Sequence, residues 1–193
     1  MGRSLRPFIP RARSALAPTL EVPRLNIRPA RVSDVPGIHE LVGAFAEKKL
    51  MIRRTMAELY ESITEFCVAV DDDNRVVGCA ALHVFWEDLS EIRCLAVAEQ
   101  LQGIGLGRRL VDWCWDRARA LEVKSVFALT NSVDFFSRCG YRVIEKSELP
   151  QGIWSECVRC PAFPECKETA LIRVHEPEAV LRAAGSRYAA APA

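Results

Sequence analysis

The chain has 193 residues, of which 50% are hydrophobic and 26% charged, with a net charge of +1. That balance suits one globular domain with a sizeable core and argues against an electrostatically driven nucleic-acid binder. No apolar run approaches the roughly 18 residues of a membrane helix, so no membrane partner is expected, and without a secretory signal the expected compartment is the reducing cytoplasm.

Residues 1–24 hold four prolines and five arginines against one acid, Glu21. The prolines interrupt any helical period, which predicts a flexible basic arm. An organelle leader, an arm touching anionic surfaces and a mis-assigned start codon stay open for it. The folded domain is expected over 25–176, followed by a frayed tail, 177–193.

Within the domain, LNIRPA reads as a short strand stopped by Pro29. Residues 32–48 read as a helix capped by Ser33 or Asp34, with Ile38, Leu41, Val42 and Phe45 on one face. Thr55 and Glu58 carry capping-box spacing at the head of a second helix. Residues 67–86 form two apolar runs around an acidic turn, a hairpin, and SEIRCLAV is a further strand. Residues 104–122 make the longest helix, with Leu106, Leu110, Cys114, Ala118 and Leu121 turned inward. SVFALT is a strand, SVDFFSRCG a short helix closed by Gly140, and YRVIEK and TALIRV are late strands. This order predicts a layered α/β domain with a mixed sheet, and the consecutive hairpin strands exclude a purely parallel, doubly wound one.

Ahead of the long helix, LQGIGLGRR places Gly103, Gly105 and Gly107 at alternate positions. Amides at a helix start have no partner inside the helix, and its dipole adds positive charge there. Bare glycines let an anion approach them, so the turn suits a phosphate or diphosphate. A dinucleotide fingerprint would need glycine where Arg108 stands, and the chain has no Gly-Lys-Ser/Thr for a P-loop. A plain strand-to-helix turn is the competing reading.

CLAV, then LQGIGLGRRLV, and downstream DFFSRCGY resemble the two signatures of the GNAT N-acetyltransferases, over roughly residues 25–175. The likeness implies the GNAT fold: a mixed, mostly antiparallel sheet flanked by helices, its central strands splayed around acetyl-CoA. It implies that the amides of Gly103, Ile104, Gly105, Leu106, Gly107 and Arg108, with Gln102 opening the motif, hold the diphosphate. It implies also that the main chain of Leu95, Ala96 and Val97 pairs with the pantetheine arm. IRPA, RRTMAELYESITEF, EIRCLAV, FALT and the Cys-bearing tail are similar to the short N-acetylglutamate synthases. That implies acetyl transfer to the α-amine of glutamate, or of glutamine, at the head of arginine biosynthesis; a homodimer is compatible with it.

Glutamate carries two carboxylates, which the arginine fork suits. Arg28 and Arg54 match family positions linked to carboxylate binding; Arg93 does not and is set aside. Glu91 sits where the family often carries a base for the amine, or else is a strand-edge glutamate facing water. The amide of Leu95 or Ala96 is the expected donor to the thioester oxygen. Cys94 is expected to shape the pocket and Thr130, with Asn131, to contact substrate. Phe136 stands where many relatives have a tyrosine acid, leaving the thiolate without that donor. A degraded, non-catalytic acyl-CoA sensor or an acetyltransferase for another amine is the alternative.

The eight cysteines include Cys157, Cys160 and Cys166 in CVRCPAFPEC. That spacing suits zinc with a fourth ligand from His175 or Cys139, a redox pair, or reduced loop cysteines. The Cys-rich loop is expected over 154–167.

Overall fold

The computed structural model describes residues 24–153 and 166–175. Strand β1 (Asn26–Pro29) is short because Pro29 and the turn beyond it end the ladder. The helix expected from 32 starts as a 3-10 turn, Val32–Asp34, and becomes α1 at Val35–Glu47. Asp34 occupies the cap position without capping, since its carboxylate is taken by the Arg28 guanidinium at 2.6 and 3.0 Å and the Arg31 amide at 2.7 Å. Helix α2 (Met56–Glu61) has the expected capping box: the Thr55 hydroxyl accepts from the Glu58 amide at 3.2 Å, and the Glu58 carboxylate accepts from the Thr55 amide at 2.8 Å.

Strands β2 (Phe66–Val70) and β3 (Val76–Trp86) form the hairpin, followed by β4 (Leu89–Val97). Helix α3 (Leu106–Ala120) buries Leu106, Leu110, Val111, Cys114 and Ala118. Leu121 departs from the expected stripe: the helix ends one residue earlier, and Leu121 is 44% exposed. Then come β5 (Ser125–Thr130), α4 (Val133–Arg138), β6 (Arg142–Ile144) and β7 (Thr169–Val174).

The seven strands run in the order β1-β2-β3-β4-β5-β7-β6, with β4–β5 the parallel pair and the other neighbours antiparallel. Alternation along each strand divides the core between two faces. Cys67, Ala69, Ala80, Leu82 and Val126 pack under α3. Val68, Val70, Cys79 and Ala81 pack under α1 and α2. A third cluster, around Phe127, Leu149, Ile153 and Ile172, covers the β5–β7–β6 end. Burying each such large side chain stabilises the fold by ~1.5–3 kcal/mol.

The sheet opens at its centre. Strands β4 and β5 pair from Leu89 with Ser125 as far as Glu91 with Phe127. Beyond that, Ala128, Leu129 and Thr130 pair with β7, while the rest of β4 stays with β3. The strands therefore diverge into a V whose walls are the second half of β4 and the end of β5.

Candidate active site

A cleft of about 290 Å³ occupies this V. Its β4 wall is Glu91, Ile92, Arg93, Cys94 and Leu95; its β5 wall is Leu129, Thr130 and Asn131, with Cys166 and Glu168 leading into β7. Phe45, Leu50, Met51 and Ile52 close one end, Arg54 reaches in beside them, and Phe135 and Phe136 lie at the other side.

The β4 wall is bulged. Cys79 faces Ala96 and Ala81 faces Arg93, so two residues of β4, Cys94 and Leu95, oppose the single residue Ala80. Cys94 takes up the extra length at φ 51°, a region that non-glycine residues rarely visit. A bulge takes its residues out of the ladder and turns the chain toward a ligand. The Cys79 thiol donates to the Cys94 carbonyl at 3.3 Å and ties the bulge to β3. Burial pushes the Cys94 thiol up, although the hydrogen-bonded Arg54 guanidinium pulls the other way. Cys94 is thus a protonated thiol at neutral pH, a wall residue and not a nucleophile.

The charged side chains fall differently from the expectation. Arg54 lines the cleft, and so does Arg93, which the family pattern had not marked. The Arg93 Nε donates to Glu91 Oε2 at 2.5 Å, and both side chains are nearly buried, at 15% and 11% exposure. Arg28 does not line the cleft. It lies on β1, opposite Val68, three strands from β4, or roughly 14 Å at ordinary strand spacing. Its guanidinium holds Asp34, whose carboxyl is pulled below the usual carboxylate range chiefly by that hydrogen bond. Arg28 therefore serves the fold at this position.

Thr130 lines the cleft and its hydroxyl accepts from the Ser132 amide at 2.9 Å, just ahead of α4. Phe136 is 4% exposed and stands edge-on to Phe135 and Tyr141, with centroids 5.2 Å apart in each pair. Tyr141 is buried away from the cleft and burial pushes its hydroxyl up, so it does not replace the absent phenol.

The glycine loop stands beyond the end of β4, past the turn Glu99–Leu101, outside the cleft lining. Gln102 Nε2 donates to the Val97 carbonyl at 3.0 Å and ties the loop to the strand end. Gly103 and Gly105 have φ of 79° and 87°, and a side chain at either would meet open space. Gly105 is the N-cap of α3, which lacks any side-chain cap. The first helical bond of α3 runs from the Arg109 amide to the Gly105 carbonyl at 3.2 Å. The amides of Leu106, Gly107 and Arg108 therefore precede it with no acceptor inside the helix. Open space at Gly103 and Gly105, three amides without an acceptor in the helix and the dipole suit an anion such as a diphosphate. At Gly107 a Cβ would come within 3.3 Å of the Phe135 ring, so this glycine lets α3 and α4 approach. The guanidinium of Arg108 donates to the Arg138 carbonyl at 3.1 Å and that of Arg109 to the Leu25 carbonyl at 3.3 Å, both on the protein surface.

Cys157 and Cys160 lie outside the described residues. Cys166 faces the cleft, its thiol 3.8 Å from Glu168 Oε2. Among the described residues no group of three histidines, cysteines or carboxylates gathers as a metal site. His175 stacks on Trp115 at 3.6 Å and sits at the far end of β7 from Cys166, roughly 20 Å away along an extended strand. At that separation His175, one of the two fourth ligands considered, does not share a ligand shell with Cys166. Among the described residues no helix is long and apolar enough to cross a membrane.

The architecture agrees with known proteins. Residues 39–141 match the acetyltransferase (GNAT) family. An amino-acid acetyltransferase of Mycobacterium tuberculosis is 42% identical over 69% of this chain and 77% of its own length. The crystal structure of Rv2747 from Mycobacterium tuberculosis in complex with CoA and NLQ superposes with a TM-score of 0.68 at 35% identity, over 77% of this chain and 98% of that one. The N-acetylglutamate synthase of Neisseria gonorrhoeae, complexed with coenzyme A and N-acetyl-glutamate, gives a TM-score of 0.72 at 30% identity, over 79% of this chain but 35% of that longer one. The chain therefore belongs to the acetyltransferase (GNAT) family as an acyl-transferring enzyme.

Proposed function

We propose that the chain transfers the acetyl group of acetyl-CoA to the α-amine of L-glutamate, releasing N-acetylglutamate and CoA at the entry to arginine biosynthesis. The observation that carries this reading is that two arginines, Arg93 on the β4 wall and Arg54 at one end, line the same cleft. The relatives named amino-acid acetyltransferase and the synthase complexed with N-acetyl-glutamate support it.

The amides of Leu106, Gly107 and Arg108 and the open bend at Gly103 and Gly105 would hold the coenzyme's diphosphate, with the main chain of Leu95, Ala96 and Val97 along its arm. Acetyl-CoA, when bound, supplies an acetyl group activated as a thioester. Leu95, taken out of register by the bulge, offers its N–H where negative charge develops on the acyl oxygen. Arg54 and Arg93 would bind the acceptor carboxylate by charge-assisted hydrogen bonds, with Leu50, Met51 and Ile52 lining that end of the cleft. Thr130 and Asn131, which line the cleft from the β5 side, would orient the acceptor. A thiol leaving group of pKa about 8.5 departs without the phenol that Phe136 replaces.

A second acceptor, glutamine, is favoured by charge. Among the described residues, the charged groups of the cleft are Arg54, Arg93, Glu91 and Glu168, which sum to zero. Such a cleft suits a net-neutral amino acid better than the anionic glutamate zwitterion. Thiol release measured across the twenty amino acids tests both readings. Turnover confined to glutamate or glutamine supports the assignment and their ratio of kcat/KM chooses between them; turnover only with a polyamine, peptide or drug amine overturns it.

A further inference from the structure

The family resemblance implies Glu91, on the β4 wall of the cleft, as the base that takes the acceptor's proton, and that proton must leave before the next turnover. The Glu91 side chain is only 11% exposed, and the Arg93 Nε holds its Oε2 at 2.5 Å. Coenzyme and acceptor would fill the cleft in front of it. The way out lies along the sheet, on the β3 side.

His83 stands on that side. It pairs with Glu91 in the β3–β4 ladder, within the regular stretch from Ala81 to Val84. Directly opposed residues share a face of the sheet, with Cβ atoms roughly 5 Å apart. The next pair, Leu82 and Ile92, packs under α3, so His83 and Glu91 point to the other face, with Ala81 and Arg93. An imidazole and a carboxylate at that spacing can exchange a proton directly or through one water. The His83 Nδ1 lies 2.9 Å from Glu65 Oε1. An ionised carboxylate only accepts, so Nδ1 donates and the lone pair is left on Nε2, where a proton can be taken up.

Both members of this pair reach water, with side chains 31% and 29% exposed. They line a second cavity, of about 340 Å³, which has Arg54, Arg93 and Cys94 in common with the cleft. Glu91 lines the cleft and His83 the second cavity, so the two opposed residues span the boundary between them. The charged groups facing His83 there are Glu65 ahead of β2, Glu91 and Arg93 on β4, and Arg54, Glu58 and Glu61 at α2. Imidazole is the side chain that gains and loses a proton most readily near neutral pH.

We propose that His83, held by Glu65, relays the acceptor's proton from Glu91 to solvent through the second cavity. This rests on the amino-acid N-acetylation proposed above. His83 touches neither acceptor nor coenzyme; it is a positioning residue that acts through Glu91. The nitrogen lone pair forms the new C–N bond, the C–S bond breaks with its electron pair on sulfur, and the proton lost by nitrogen passes to Glu91. From Glu91 it moves to His83 Nε2, and the imidazolium releases it to water in the second cavity. The CoA thiolate takes up a proton from solvent, and Glu91 and His83 are back in their starting states.

The test is kcat and KM for His83→Asn and His83→Ala, with glutamate or glutamine as acceptor and with and without added imidazole, each variant checked for folding by circular dichroism. The asparagine amide can still donate to Glu65 but carries no proton at neutral pH. His83→Asn is expected to lower kcat by ~10²-fold with KM little changed. Free imidazole should raise kcat of both variants saturably and leave the wild type as it is. The solvent deuterium isotope effect on kcat should be larger in the variants than in the wild type. A purely structural role predicts the opposite for His83→Asn, wild-type turnover with its hydrogen bond kept. Wild-type kcat in His83→Asn, or a loss that imidazole does not restore, overturns the proposal, and His83→Asn decides by itself where His83→Ala fails to fold. A wild type that binds CoA but acetylates no amino acid overturns the acceptor reading itself, an outcome that no defect at His83 alone produces.

Discussion

Arg28 and Arg54 were alike as sequence, two arginines at positions linked to carboxylate binding, and the fold gives them different work. Arg28 makes two hydrogen bonds to Asp34, a carboxylate 6% exposed. Removing it by Arg28→Ala leaves that charge with the Arg31 amide alone, and should cost roughly 3 kcal/mol of stability. The urea midpoint measures this, and KM for the acceptor should hardly change. Arg54→Ala does the reverse: the urea midpoint stays near wild type while KM rises by ~10- to 100-fold, the worth of a charge-assisted bond. A KM defect in Arg28→Ala equal to that of Arg54→Ala would return Arg28 to the site. Arg93 was set aside because the family pattern does not mark it, and strand alternation could not restore it, since it gives a parity and cannot show that a bulge one residue later bends the wall.

Elements with local signals were legible, and those made by tertiary context were not. The Thr55–Glu58 box started α2 where its spacing said it would. SVFALT and TALIRV became β5 and β7 residue for residue, because buried β-branched runs bounded by turn residues leave little alternative. The β4 bulge has no such signal: SEIRCLAV reads as a plain strand, and only pairing with β3 on one side and release from β5 on the other bend it. The glycine turn was legible as an uncapped helix start, because bare glycines at alternate positions ahead of an apolar helical stripe are a local signal. Two substitutions separate the roles of these helix starts. Thr55→Ala should cost about 1 kcal/mol and leave CoA affinity unchanged. Gly105→Ala forces φ 87° on a residue with a Cβ, at a cost of ~1–2 kcal/mol, and should weaken CoA binding several-fold by reshaping the amide cradle. Calorimetry with CoA beside urea unfolding distinguishes them; unchanged CoA affinity in Gly105→Ala would detach the turn from the diphosphate.

At the scale of the whole molecule, two groups on opposite margins of the sheet couple stability to pH. Asp34, packed against β1, has its carboxyl pulled down chiefly by Arg28. Its contribution is fully present above the unfolded carboxylate value of about 3.9 and is lost as pH falls through the lower folded value. His175 follows β7 and stacks on Trp115, and burial pushes its imidazole down, with Arg119 and Arg173 acting the same way. The unfolded chain then binds a proton more readily than the folded one, so stability falls as pH drops below about 6.5 and levels off below the folded value. Urea midpoints taken from pH 8 to pH 2 should therefore decline in two stages. His175→Phe, which keeps the stacking on Trp115, should flatten the first stage and leave the second. Asp34→Asn should lower stability at neutral pH and flatten the second, because its amide no longer titrates. A single decline below pH 4 that is the same in both variants and the wild type would mean that neither group carries the coupling, and that acid unfolding is spread over the exposed carboxylates instead.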